Sequence, residues 1–545
     1  MLVLLTQKYS IFLINDDVLI DRMLSGRDSG QPSNIVPFIS IILAKFLSSI
    51  YSVFGINISL FGLLLIFTNI LSIMLLINMS VYLKDYYKIA IGFFLVFIII
   101  PTTLIAPTFT ITSFLAQGVG IVSIALYKSN NGKNIYFYAL NILLIVIGFG
   151  VRPETSFGIL LFIFPILTLY LFKISRHNFK FVLSLWFFYL FLNIFEKLAY
   201  YLIINKDSNS FKYLQFIDLR GSLSFTPAFL RTHQLIIEGE IVNSPFSNVD
   251  FILLQSWHTF DSTVFNYENL VYVINFVTNL IGFQGVINSN LFQVLDRINL
   301  EANSFYKFFI LLVIIFIIFS LNLMRKSNFL FFITLTFSYG IGLYYLSAVA
   351  RLPYRTLFPL GILLILATFL LFNIKEFKKI SFISLVSILC FFSVNFHLND
   401  EFGFKKIISS NKGKLNFFTK RDKILHEGLS NKYVLISSID NLPHSIQGTI
   451  FKNLNWKSSE NLISLDWTVN SPSWSQKVSN LGFNSNNLFR SLATEPNLYY
   501  AGNKDMANIL DFYMNDRKIL RGKLCPIANL NGLDIFTYQA KENDC

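Results

Sequence analysis

Two adjacent carboxylates, Asp16 and Asp17, close the first apolar stretch of the chain, in NDDVLIDRMLSGRDSGQPSN over residues 15–34. A carboxylate at the surface of an apolar body costs free energy unless it is solvated or paired. Placed there, it can act as a general base toward a hydroxyl acceptor. It can also hold a divalent cation such as Mg or Mn through oxygen. The same residues suit the first turn of a short surface helix running to Leu24, where Asn or Asp caps the N-terminus and the dipole favours negative charge. Both readings stand, although a second acid followed by Asp21 and Arg22 exceeds what one cap requires.

Arginine supplies the complementary chemistry. Arg152 and Glu154 lie in GFGVRPETS, where Pro153 breaks the helix and turns the pair toward an interface or cavity. Arg351 and Arg355 flank Tyr354 in AVARLPYRTLFP. Guanidinium groups bind phosphate by charge-assisted, often bidentate bonds; the alternatives are a snorkelling Arg-Glu pair and interfacial Arg-Tyr anchoring. Between these motifs stand Asp218 and Arg220 in FIDLRG, and Asp250, Trp257, His258 and Asp261 in VDFILLQSWHTFDS. Trp can stack on a sugar face and Asp can accept its hydroxyl protons, or the same residues serve as an interfacial anchor and loop caps. His258 has no companion at metal-ligand spacing. No phosphate-cradling G-x-x-x-x-G-K-[ST] and no G-x-S-x-G occurs, which argues against an ATP-driven pump and a lipase-like hydrolase.

The elements that must position these residues are membrane helices. Apolar residues make up 54% of the chain and Phe alone numbers 60, a mix far from that of a soluble domain. A hydrocarbon layer of about 30 Å needs about 20 helical residues. Apolar stretches at 34–54, 58–80, 89–105, 109–127, 135–150, 156–173, 181–203, 306–324, 329–348, 356–373 and 380–397 predict an all-α polytopic membrane protein of about 11 helices. The net charge of +13 resides in short clusters between the spans (Lys84 and Lys88, Lys128 and Lys133, Lys173 to Lys180, Arg325 and Lys326, Lys375 to Lys379). These clusters report topology rather than a nucleic-acid partner.

All the clusters fall on the cytoplasmic side if 34–54, with Lys45 at its centre, lies along the outer surface, and if Asn269–Ile287 does not cross. Outer loops 15–57 and 204–304 then belong to a membrane domain over residues 1–398. From 399 to 545 the composition turns polar. KYVLIS (432–437) and NLYYAG (497–502) read as strands, Asp505 to Asp516 as an amphipathic helix, and Asn531-Gly532 as a hairpin turn, giving a small extracytoplasmic α/β domain. Met1 to Ile14 has no basic head or small-residue cleavage site and reads as the outer part of a first helix. Cys525 and Cys545 can pair or remain free thiols.

An acidic pair in the first outer loop, the surface segment PFISIILAKFL with its buried-looking Lys45, about eleven spans, late outer-facing arginines and a terminal outer domain together resemble the C-type membrane glycosyltransferases (GT-C). The stretch NDDVLIDRMLSGRDSGQPSN followed by an apolar surface segment is similar to multi-span proteins of Gram-positive bacteria found with surface-polysaccharide genes. The resemblance implies a multi-pass protein of the bacterial plasma membrane, a polyprenyl-phosphate-linked sugar donor and a cell-envelope glycan or lipid acceptor. It makes Asp16 or Asp17 the base. Arg351, Arg355 and Arg152 would hold the donor phosphate, and Tyr354, Glu154, Lys45, Arg220, Trp257 and Asp261 are the candidate substrate contacts. A polysaccharide polymerase or ligase, and a non-catalytic lipid-linked-sugar flippase or transporter, are the alternatives.

Overall fold

The computed structural model describes residues 10–12, 15–27, 31–54, 58–82, 86–129, 134–168, 178–204, 207–225, 245–256, 258–275, 403–413, 432–437, 461–519, 522–530 and 533–540, with isolated positions between 358 and 450. These are mostly helical. In chain order they are α1 (Asn15–Ser25), α2 (Ile41–Phe54), α3 (Leu60–Tyr82), α4 (Tyr86–Ile100), α5 (Phe109–Ser129), α6 (Ile135–Val151), α7 (Thr155–Phe162), α8 (Asn178–Ile204), α9 (Ser208–Phe225) and α10 (Asn248–Gln255). After them come β1 (Tyr433–Ser437), β2 (Leu462–Leu465), α11 (Pro472–Asn480), α12 (Leu488–Thr494), β3 (Leu498–Gly502), α13 (Lys504–Asp516), β4 (Gly522–Leu530) and β5 (Leu533–Ala540).

Among the described residues three helices are long and apolar enough to cross a bilayer: Leu60–Val81 of α3, Phe109–Tyr127 of α5 and Lys180–Ile203 of α8. The stretches 89–105 and 135–150 form shorter apolar helices, and 156–173 opens with the short α7. The four later stretches lie almost entirely outside the described residues, as does most of Asn269–Ile287. α5 is the centre of the bundle and is buried along its apolar length, whereas α8 exposes Phe187, Leu190, Phe191, Ile194, Phe195 and Leu198. A continuous apolar face of that kind is what hydrocarbon solvates and water does not.

Local sequence explains the helix geometry. Small residues let α5 and α6 approach closely: a Cβ on Gly148 would lie 3.0 Å from the Cβ of Ala116 and 3.1 Å from the Ser113 carbonyl. Pro101 removes one main-chain donor at the end of α4, and the ladder continues as a π-turn over Pro101–Ile105, closed by the Ala106 N–H on the Pro101 carbonyl. Gly26 (φ 72°) ends α1 in a left-handed turn where a side chain would collide with Gln31 and Pro32.

Two expectations are corrected here. α1 is not a surface helix: from Asp17 to Leu24 every residue is buried. Its polar members are matched internally, Asp21 accepting from Tyr51 Oη at 2.8 Å and pairing with Arg27 at 3.0 Å. Burial raises the Asp21 pKa, and Arg27 is the main opposing influence. The described end of the opening stretch is not helical either. Residues 10–12 have no regular secondary structure, with the Ile11 N–H on the Ile105 carbonyl and the Ser10 carbonyl accepting from the Ile450 N–H.

α2 buries Ile41, Ala44, Leu47, Ser48 and Tyr51 and turns Lys45 and Phe46 outward. Lys45 is therefore exposed, not buried; it shares the outward side of the helix with Ile42, Phe46 and Ser49. The Glu196 carboxylate of α8 caps α2, accepting from Ser40 Oγ at 2.6 Å and from the Ile41 N–H at 2.7 Å.

The C-terminal region is a five-stranded mixed sheet in the order β2-β1-β3-β5-β4. β1 runs parallel to β2 and β3, and β3, β5 and β4 are antiparallel neighbours. The four expected elements are present at nearly the expected bounds, with β4 and β5 pairing across residues 531–532. The segment that follows α10 contributes to this domain. Phe260 stacks on Phe489 at 3.9 Å, Leu488 N–H donates to the Phe260 carbonyl, and Asp261 bridges to Asn487.

Candidate functional site

α1, the N-terminus of α5, the α6–α7 turn, α9 and the C-terminal domain converge on the acidic pair. Asp16 and Asp17 occupy the first turn of α1, as their dipole preference requires. Their side chains then diverge in role. Asp17 is fully buried, and its Oδ1 accepts the Phe109 N–H at 2.7 Å. Phe109 is the first residue of α5, whose leading N–H groups have no partner within the helix. Asp17 thus caps a second helix from a remote segment. That function requires the carboxylate to stay where it is.

Asp16 is only half-buried, and its Oδ1 accepts the Trp467 indole N–H at 3.2 Å. Trp467 sits in the turn after β2. Asp466 Oδ1 folds that turn by accepting the Thr468 N–H at 2.7 Å and the Thr468 hydroxyl at 2.6 Å. Tyr213 of α9 donates its hydroxyl to the Trp467 carbonyl at 2.8 Å. The Trp467 ring meets Phe38 edge-on, with centroids 5.4 Å apart. Phe38 holds φ at 73°, an unfavourable value for a bulky residue that its packing against Trp467 and Phe109 sustains.

Charge alternates around this cluster. Arg152, at the C-terminus of α6, lies 4.8 Å over the Phe109 ring, bonds Thr110 Oγ1 and pairs with Glu154 at 2.9 Å. The carboxylate of Glu154 acts in turn on Asp218 of α9; desolvation and that neighbour both raise the Asp218 pKa. Arg220 is fully buried and donates from Nε and Nη2 to the Leu254 carbonyl at 3.0 and 2.7 Å. Desolvation lowers the Arg220 pKa, and the Asp16 carboxylate is the charge that opposes this. An arginine stays protonated even so, which makes Arg220 the buried cation facing Asp16.

Of the residues singled out in the sequence, Asp16, Asp17, Arg152, Glu154 and Arg220 come together with Asp218. Others serve the domain seam instead. Asp261 accepts from Tyr513 Oη at 2.9 Å and from Thr263 Oγ1 at 2.6 Å, and so caps its loop. Asp250 forms a capping box with Ser247 and an ion pair with Arg517. His258 Nδ1 lies 2.8 Å from the Ser256 carbonyl and Nε2 lies 3.4 Å from Tyr500 Oη, and burial pushes its pKa down to about 4. Trp257, Arg351, Tyr354 and Arg355 lie outside the described residues.

Sequence reasoning passed over Trp467, Tyr213 and Phe38. The signal at Trp467 was the D-x-T spacing of Asp466 and Thr468, which marks a side-chain-closed turn. A buried Trp within such a turn needs an acceptor for its N–H.

As cation ligands the acidic pair fits poorly. One oxygen of Asp17 is already bonded to a main-chain N–H, and among the described residues no three His, Cys, Asp or Glu side chains gather at one point. No family model, curated protein or solved structure matches the chain.

Proposed function

We propose that the chain is an integral-membrane glycosyltransferase of the C-type, moving a sugar from a polyprenyl-phosphate donor to a cell-envelope glycan or lipid acceptor on the outer face of the bacterial plasma membrane. In this reading Asp16 is the general base. The acceptor hydroxyl gives its proton to Asp16 and its oxygen bonds to the anomeric carbon. The bond from that carbon to the phosphate oxygen breaks, and the lipid phosphate leaves with the electron pair. A single displacement inverts the anomeric centre. Arg351 and Arg355, with Arg152 at the rim, stabilise the departing phosphate, an electrostatic task suited to a site shielded from water.

The observation that carries this reading is the divergence of the twin carboxylates. Asp17 is committed to a helix terminus, while Asp16 is half-buried where the helix bundle meets a polar domain, close to the charge of Arg220. Sidedness supports it as well. The helix ends at 105–109 and 151–155 gather beside α1, at the opposite ends of α4, α5 and α6 from Lys88 and Lys128. Cys525 is disulfide-bonded, as suits an oxidising outer compartment.

The test is to replace Asp16 and Asp17 separately with Asn in the cells that express the protein and to measure the composition of their surface glycan and lipid. Asp16→Asn abolishes the modification at an unchanged protein level. Full modification by Asp16→Asn overturns the reading.

A further inference from the structure

The Trp467 indole stands 451 positions from Asp16 in the chain and belongs to a different domain, yet its N–H ends on the carboxylate that the proposed reaction uses. We propose that Trp467 is the positioning residue of the base: its indole N–H holds the Asp16 carboxylate in the orientation the reaction uses. The inference rests on the reading of Asp16 as base.

Three contacts from separate elements hold Trp467 for this task. Tyr213 clamps its main chain from α9, Phe38 supports its ring from the segment before α2, and Asp466 closes its turn. The side chain is 3% exposed, which leaves no ring face open to stack on a sugar. Its polar edge is what it contributes. A carboxylate on the first turn of a helix has free side-chain rotamers unless something beyond the helix pins it, and a charge-assisted bond from a rigid indole does so. The C-terminal domain is therefore part of the catalytic constellation. When it undocks, Asp16 loses the indole hydrogen bond.

The experiment uses the full chain in lipid nanodiscs and ultraviolet resonance Raman spectra of the indole N–H mode. The Trp467→Phe difference spectrum identifies the band of Trp467 among the five tryptophans. Asp16→Ala moves that band to the position of an indole without an acceptor, whereas Asp16→Asn, whose amide oxygen still accepts, leaves it in place. In cells, Trp467→Phe keeps the ring contact with Phe38 and lowers glycan modification about tenfold, the loss expected for one hydrogen bond to a charged group.

A Trp467 band that does not respond to Asp16→Ala overturns the inference, and this measurement on native Trp467 stands even if Trp467→Phe fails to fold. Full modification by a folded Trp467→Phe protein also overturns it. Modification retained by Asp16→Asn, with the band shift by Asp16→Ala intact, would instead sink the glycosyltransferase reading while the contact remained.

Discussion

Asp17 and Phe109 are joined by a 2.7 Å hydrogen bond across 92 positions of sequence, so the helix carrying the acidic pair also closes the open end of the central apolar helix. The twin carboxylates consequently respond differently to substitution. Asp17→Ala removes the cap from α5 and destabilises the protein by about 1–2 kcal/mol, the range of a lost helix cap. Asp17→Asn, which retains an acceptor oxygen, costs less. Thermal unfolding in detergent distinguishes them, with Asp16→Asn close to the wild-type midpoint.

Sidedness is open to direct labelling. Gln31 and Glu495 are both exposed, one shortly after α1 and one in the C-terminal domain. In a Cys390→Ala background, Gln31→Cys and Glu495→Cys both react with a membrane-impermeant maleimide in intact cells, and Lys84→Cys reacts only after lysis. Labelling of position 31 confined to lysed cells would place the acidic pair in the wrong compartment for a polyprenyl-linked donor on the outer face.

The seam between α10 and the C-terminal domain turns on Asp250, which is buried, and Arg517, which is partly exposed. Arg517→Ala leaves the carboxylate with only its Ser247 partners. After allowance for solvent screening on the arginine side, the loss is about 1–2 kcal/mol. Hydrogen exchange reports it as faster exchange in α10 and α13 together, with α3 and α5 unchanged.

Acidity acts on the same domain through Asp511. Burial pushes its carboxyl up to about 6 from an ordinary value of 3.8, with the Leu524 N–H and then Lys523 pulling the other way. Between those values the folded state binds more protons than the unfolded one, so stability falls as pH rises from about 4 to about 6 and is not recovered above it. Asp511→Asn keeps an acceptor for the Leu524 N–H, which Asp511 now bonds at 2.7 Å. That variant flattens the pH profile of the melting temperature over this window and melts higher than wild type at neutral pH.

The elements that sequence revealed are those whose cause is local. Runs of apolar residues produced α3, α5, α6 and α8, and alternation with turn residues produced β1, β3 and the β4–β5 hairpin. What it did not reveal depends on partners far away in the chain. The burial of α1 rests on Tyr51 as well as Arg27, the start of α2 on Glu196, and the second role of Asp17 on Phe109. The proposed base could be narrowed to two adjacent residues but not to one, because the distinction between them is made by Phe109 and Trp467. Local periodicity carries no information about contacts that close across hundreds of positions.

Because Phe260 and Asp261 complete a domain whose strands lie some 170 or more residues later in the chain, that domain cannot assemble as synthesis proceeds. The loop emerges first and must wait, its aromatic side chains uncovered, until the last strands arrive. A recombinant tail starting near residue 400 would lack those contributions, so soluble production calls for co-expressing two fragments, one spanning 245–275 and one spanning 432–545. A chaperone acting during that interval would find its client in the waiting loop.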